Sequence, residues 1–183
     1  MNRLKKLLFL VFLIILAYGI NLFLSPSLGQ FEAYTVTKVS DGDTIWANNE
    51  KIRIIGINTP ELKSKEDFSH EAKDLTKSLV LNKKVYFEKD IEERDKYNRL
   101  LRYVWLKKPK KINREEIEKN TLEGILLAKG YARVYTFKPN IKYKKYFKEI
   151  EDKAKKEKVG MWKNSEEGST RGNWCINIKW KNL

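Results

Sequence analysis

V-S-D-G-D-T-I-W-A-N-N-E-K-I-R-I-I-G-I-N-T-P-E, residues 39–61, decides the fold. The segment is strand-like, with short apolar runs set between turn signals. Upstream, Tyr34, Val36 and Lys38 alternate with Thr35, Thr37 and Val39, so a first strand runs into the segment from Phe31. D-G-D at Asp41–Asp43 predicts a tight turn, with Gly42 able to take a positive φ. Thr44, Ile45 and Trp46 begin a second strand. Asn48 and Asn49 turn the chain, and Ile52, Ile54 and Ile57 populate a third. The pattern is a three-stranded meander.

Further along the chain, residues 69–82 predict a helix. Ser69 is placed to cap it, Glu71 suits its N-terminal dipole, and Ala72, Leu75 and Leu79 share a face. Val85–Phe87 and Leu100–Leu106 read as strands, separated by a charged loop over Asp90–Asn98. Residues 107–120 form a charged insert read as solvated. Leu122, Ile125 and Leu126, stopped by Gly130, predict a short helix with Asn120 and Glu123 as its capping pair. Tyr131–Tyr135 is brief and extended. Tyr143, Phe147, Ile150 and Ala154 predict a last amphipathic helix ending near Gly160. Five short strands with intervening helices describe a small α+β barrel capped by helices. The OB-fold is the common barrel of this kind that meets oligonucleotides.

The whole chain has 183 residues, room for one domain and a short appendage. Apolar residues make up 42% and aromatics 12%, enough for a core. The net charge of +14 favours a polyanion as partner: nucleic acid or an acidic membrane face. One Cys (Cys175) and one His (His70) exclude an intrachain disulfide and a Cys/His zinc site. Hydrolysis would therefore run on carboxylates and arginines, with room for a hard metal.

Residues 1–29 differ in composition. Arg3, Lys5 and Lys6 precede an apolar run from Leu7 to Leu24, and Ser25, Pro26, Ser27 and Gly29 follow. This is the layout of a secretory signal. It is equally that of a retained anchor, because the 18-residue run reaches the lower limit of a bilayer span. Both readings place the remainder outside the cytoplasm. The expected organisation is a signal or anchor over 1–29, a domain over 30–165 and a tail over 166–183. Cys175 in that tail reads as a packed thiol.

Three clusters could carry chemistry. Asp41, Asp43, Asn58, Thr59 and Glu61 would gather oxygen ligands for a hard cation if the third strand returns beside the second. Two ordinary turns explain the same residues. Arg53, in the apolar run I-R-I-I-G-I, and Arg99, ending D-K-Y-N-R, would suit charge stabilisation in phosphoryl transfer, or stand as surface arginines. Lys96, Tyr97, Tyr135, Phe137 and Lys138 interleave rings and ammonium groups, as base stacking and phosphate contact require. Core packing explains any one ring as well.

Taken in order, these residues resemble the staphylococcal nuclease, or thermonuclease, family. The resemblance rests on V-S-D-G-D-T (Val39–Thr44), I-R-I-I-G-I-N-T-P-E (Ile52–Glu61), H-E-A-K-D-L-T-K (His70–Lys77), D-K-Y-N-R (Asp95–Arg99), Y-T-F-K-P-N (Tyr135–Asn140) and A-K-K-E-K-V-G-M-W (Ala154–Trp162). It covers about residues 34–163. It implies a five-stranded OB-fold barrel with about three helices. It also implies a Ca²⁺-dependent phosphodiesterase that cleaves DNA and RNA with little sequence preference and leaves 3′-phosphate ends. By the same resemblance Asp43, Asn58 and the Thr59 carbonyl hold the metal. Arg53, Glu61 and Arg99 are catalytic, Glu61 by activating the attacking water. Lys96, Tyr97, Tyr135 and Phe137 line the nucleotide site, and His70 has no catalytic part.

Four departures stand out. Asn58 lies where the family usually has Asp, so the site loses one negative charge and calcium should bind more weakly. The segment Leu62–Phe68 is shorter than the family's loop, the insert Lys107–Asn120 is longer, and Phe137 replaces a tyrosine. The expected protein is a monomeric extracytoplasmic nuclease acting on single-stranded or frayed DNA and RNA, secreted or held to the membrane through residues 7–24. The alternative is a non-catalytic OB module tethered to the membrane that binds nucleic acid. A basic surface serves both, but retention of Arg53, Glu61 and Arg99 favours the enzyme.

Overall fold

The computed structural model describes residues 9–16, 31–63 and 66–163. The proposed cleavage region near Gly29 and the tail over 166–183 lie outside them. Residues 9–16 form a helix (α1) whose eight apolar side chains are all exposed. Among the described residues, no helix is long and apolar enough to cross a membrane.

The domain is built on β1 (Phe31–Asp41), β2 (Thr44–Ala47), β3 (Glu50–Ile54), β5 (Lys84–Glu88) and β6 (Leu100–Trp105). These five strands close into a barrel in the order β1-β2-β3-β6-β5. The meander pairs antiparallel, Val39 with Ile45 and Ile45 with Ile52, but register shifts between Val36 and Lys38 and between Val39 and Asp41 break the simple alternation read in β1 and bury both Val36 and Val39. β3 then pairs with β6 in parallel, Arg53 beside Leu101, and β1 closes the sheet on β5. This is the five-stranded barrel expected from the strand pattern, with the strand order of an OB-fold. Val36, Ile45, Ile52, Ile54, Val85 and Val104 fill it and are almost fully buried.

The third strand of the meander is interrupted. Gly56 has φ +88, which only glycine adopts freely, and a Cβ there would lie 2.4 Å from the Phe147 ring. The chain is redirected into a short strand, β4 (Gly56–Asn58), that leaves the barrel and pairs with β7 (Arg133–Tyr135). This break carries Asn58 and Thr59 back towards the β1–β2 turn.

Helices α2 (Ser69–Val80), α3 (Arg114–Asn120), α4 (Leu122–Ala128) and α5 (Lys144–Lys156) pack around the barrel. One more is present than the three expected, because residues 114–120 of the charged insert are helical. The Asn113 side chain caps α3 by accepting the Glu116 N–H at 2.8 Å, and Ile117 is fully buried. A helix needs only one apolar anchor to be held by its neighbours, and the charges around Ile117 conceal it. Two further assignments are corrected. The residue before α2 is Phe68 in the left-handed region, with no side-chain cap, and Ser69 is buried inside the helix. Thr121, not Asn120, caps α4 through the Gly124 N–H. Glu123 is fully buried instead and accepts the Val104 N–H at 3.0 Å.

Candidate active site

The turn between β1 and β2 carries Asp41 and Asp43. Gly42 is needed here for space. Its φ is not positive, contrary to the expectation from the D-G-D pattern. A Cβ on Gly42 would lie 2.8 Å from the Thr59 side chain. The Thr76 hydroxyl donates to the Gly42 carbonyl at 2.7 Å and ties the turn to α2. The close approach of Thr59 to Gly42 joins the two acidic motifs.

Asp43 is buried and fully engaged. Oδ1 accepts the Thr44 hydroxyl at 3.0 Å, and Oδ2 accepts the Thr59 N–H at 3.2 Å. The Arg53 guanidinium lies 3.1 Å from Oδ2. Arg53 pairs with Thr44 across the β2–β3 ladder, which aims it at this turn. Its Nη1 donates to the Ile54 carbonyl, and its Nη2 to the Ile57 carbonyl at 2.9 Å and to Asn58 Oδ1 at 3.0 Å. The Asn58 amide in turn donates to the Thr59 carbonyl at 3.4 Å. Asp43, Arg53, Asn58 and Thr59 therefore form one hydrogen-bonded group, as the returning third strand required.

Glu61 follows Thr59 and Pro60. Its main-chain N–H donates to Glu66 Oε2 at 3.0 Å, and its carbonyl accepts the Glu66 N–H at 3.3 Å. Glu61 is exposed, as a side chain meeting solvent water must be. Burial pushes the half-buried Asp41 carboxyl above its ordinary value. The Gly42 N–H opposes that shift, the Asp43 and Glu61 charges add to it, and Lys73 of α2 counters them. Asp41, Asp43 and Glu61 thus feel one another's charge.

Arg99 approaches on β6's leading edge, two residues before Leu101, the partner of Arg53. Asp95 holds it: Oδ2 lies 2.7 Å from both Nε and Nη2, and Oδ1 accepts the Arg99 and Tyr97 main-chain N–H groups. Burial raises the Asp95 pKa, but these donors outweigh it and leave the carboxyl below its ordinary value. Asp95 was missed as a functional residue, although acid and base four apart in D-K-Y-N-R was the available signal. Tyr97 is exposed between two cations, Lys96 Nζ at 5.1 Å and the Arg99 guanidinium at 5.5 Å from the ring centre. Tyr135 pairs with Gly56, two residues from Asn58, and meets Phe137 edge-on at 4.5 Å. Tyr135 and Phe137 are therefore tied to the segment that carries Asn58, and Tyr97 to the loop that carries Arg99.

A hard cation suits the donors here: the Asp43 carboxylate, the Asn58 amide oxygen and the Thr59 carbonyl are all oxygen. The Thr59 hydroxyl is also buried without a hydrogen-bond partner. Among the described residues, no three His, Cys, Asp or Glu side chains are grouped as metal ligands, so amide and carbonyl oxygens have to contribute.

The family model described as "Staphylococcal nuclease homologue" matches residues 51–164, more than half of the chain. The chain belongs to the staphylococcal nuclease family. It is 34% identical over 141 residues to the thermonuclease of Staphylococcus hyicus, covering 73% of this chain and 77% of that protein. It is 33% identical to the thermonuclease of Staphylococcus intermedius, covering 72% and 76%. Endonuclease YncB of Bacillus subtilis is 33% identical, covering 78% and 67%. The resemblance drawn from the short motifs thus holds over most of the staphylococcal nuclease-like domain.

Proposed function

We propose that this protein is a nuclease that hydrolyses phosphodiester bonds in DNA and RNA. The carrying observation is the Asp43–Arg53–Asn58–Thr59 group, with Glu61 two residues beyond Thr59 and Arg99 directly before β6, the strand that pairs with β3, in a staphylococcal nuclease family chain. Relatives named thermonuclease and endonuclease support the same activity.

In this reading Arg53 and Arg99 neutralise charge that builds on the phosphoryl oxygens. Arg53 is pre-set by the Ile54 and Ile57 main-chain carbonyls, and its Nη2 would leave Asp43 and Asn58 once those two side chains hold a cation. Glu61 orients a water for in-line attack and takes its proton. Lys96, Tyr97, Tyr135 and Phe137 receive the nucleotide by stacking and charge. Asp43, Asn58 and the Thr59 carbonyl would hold Ca²⁺, which when bound polarises a phosphoryl oxygen. Departure of the 5′ oxygen leaves a 3′-phosphate. The purified chain should degrade single-stranded DNA with calcium and stop with chelator, and end-group analysis should find 3′-phosphates. Oligonucleotide binding without cleavage at any calcium concentration would leave the non-catalytic module.

The protein acts outside the cytoplasm in this reading. Its support is the basic start at Arg3, Lys5 and Lys6 with the apolar run over residues 7–24, and the exposure of all eight side chains over residues 9–16. Flotation with neutral vesicles, to which the basic domain has no electrostatic attraction, separates an anchored chain from one whose leader has been removed. A chain found wholly in the cytoplasm would refute the localisation.

A further inference from the structure

Apart from helix α1, only four large hydrophobic side chains are exposed among the described residues: Ile91, Tyr97, Phe137 and Ile141. Ile91 is 73% exposed, the highest of any, and has no place in the catalytic reading above. All four lie on two loops, 89–99 and 136–143. Those loops are clamped together by the buried Asn140. Its Oδ1 accepts the Glu92 N–H at 2.8 Å, and its Nδ2 donates to the Glu92 carbonyl at 3.0 Å. The Lys142 N–H donates to Asp90 Oδ2 at 3.0 Å. Residue 92 is thus fixed beside 140 and residue 90 beside 142, which sets Ile91 and Ile141 at the same level across the junction. Phe137 forms a backbone bridge with Asn140 within the second loop.

We infer that Ile91 and Ile141 form an outer apolar step of the nucleotide site, on which an unpaired base beyond the one at Tyr97 and Phe137 rests. This rests on the nuclease reading and extends its surface along the strand. Continuity with Phe137 and Tyr97 argues for a base rather than a protein partner. So does charge: Lys89, Lys96 and Lys138 lie on the same two loops and suit a sugar-phosphate chain, whereas Lys142 is held by the buried Glu88, and Asp90, Glu92, Glu93 and Asp95 share the first loop. Duplex bases, already stacked, have no free face to offer, so the step selects single strands.

The test is anisotropy of the full chain, in chelator, with a thymidine oligomer of roughly 10 nucleotides, within the span of one such barrel. A thymidine dinucleotide and an abasic oligomer of equal length serve as comparisons. The double variant Ile91→Ala/Ile141→Ala should bind the oligomer about five- to tenfold more weakly. It should bind the dinucleotide and the abasic oligomer as the parent does. Unchanged oligomer affinity, or an equal loss on the abasic strand, overturns the inference and leaves the nuclease intact. So does concentration-dependent self-association that the variant abolishes, which would assign the step to a second copy. Failure of the parent to bind or cleave any oligomer overturns the nuclease reading itself.

Discussion

The two arginines of the site are held in opposite ways. Arg53 grows out of a barrel strand and is bound by two main-chain carbonyls, the Asn58 amide and the Asp43 carboxylate. Arg99 stands at the end of a loop and is bound by one side chain, Asp95, which an approaching phosphate can replace as partner. The first is part of the scaffold as well as of the site. The second belongs to the surface that meets substrate. The lesson is that replacing the same guanidinium should have different consequences on the two sides.

Predictions follow that contrast in order of size. Glu61→Gln, which keeps the side chain's size and removes its charge, should lower kcat on single-stranded DNA by about 10²–10⁴-fold in a protein that still unfolds cooperatively. Arg53→Lys should lower kcat by about 10²-fold or more and also cost about 2–4 kcal/mol of stability, because it leaves buried acceptors unpaired. Arg99→Lys should give a similar kcat loss with less than about 1 kcal/mol in denaturant unfolding. Equal stability losses for the two would break the comparison. Gly42→Ala should drive a methyl into Thr59 and cost about 1–3 kcal/mol, with weaker metal binding in calorimetry.

A smaller effect sets the site against the core. Glu123 is fully buried, and burial holds its carboxyl well above the ordinary value; the Val104 N–H opposes this and the Glu88 charge adds to it. With a raised folded pKa, the full contribution to stability is present below about 4.5, where the unfolded chain is also protonated. It is lost as pH rises from there through the folded pKa. Glu123→Gln mimics the protonated form, so its Tm should exceed the parent's at pH 8 and match it near pH 4. A pH-independent difference would contradict this account.

The barrel was legible from strand-like runs set between turn signals, although strict alternation is kept in β3 alone of the three meander strands; in β1 the buried Val36 and Val39 lie three apart across a register shift. The meeting of D-G-D with N-T-P-E was legible from the return of the third strand, but not the break at Gly56 that delivers it. Gly42 was assigned the right importance for the wrong reason, since a sequence cannot show that Thr59 packs on its Cα. Helix α3 was hidden because its one buried apolar residue, Ile117, sits among charges, although Asn113 and Glu116 already had cap spacing. The roles of Glu88 and Glu123 were invisible, because long-range partners define them. Glu88 receives the Trp105 indole N–H and the Tyr143 hydroxyl, both distant in sequence. Family motifs located Arg99 but not Asp95, which holds it.

The measurement that bears most directly on the central claim is single-stranded DNA cleavage by the parent and by Glu61→Gln, side by side across a calcium titration. The account predicts cleavage that needs calcium in the parent, with a midpoint that Asn58→Asp moves to lower calcium, and near-complete loss in the Glu61 variant. Equal cleavage by parent and Glu61→Gln, or none by either at saturating calcium, would contradict it.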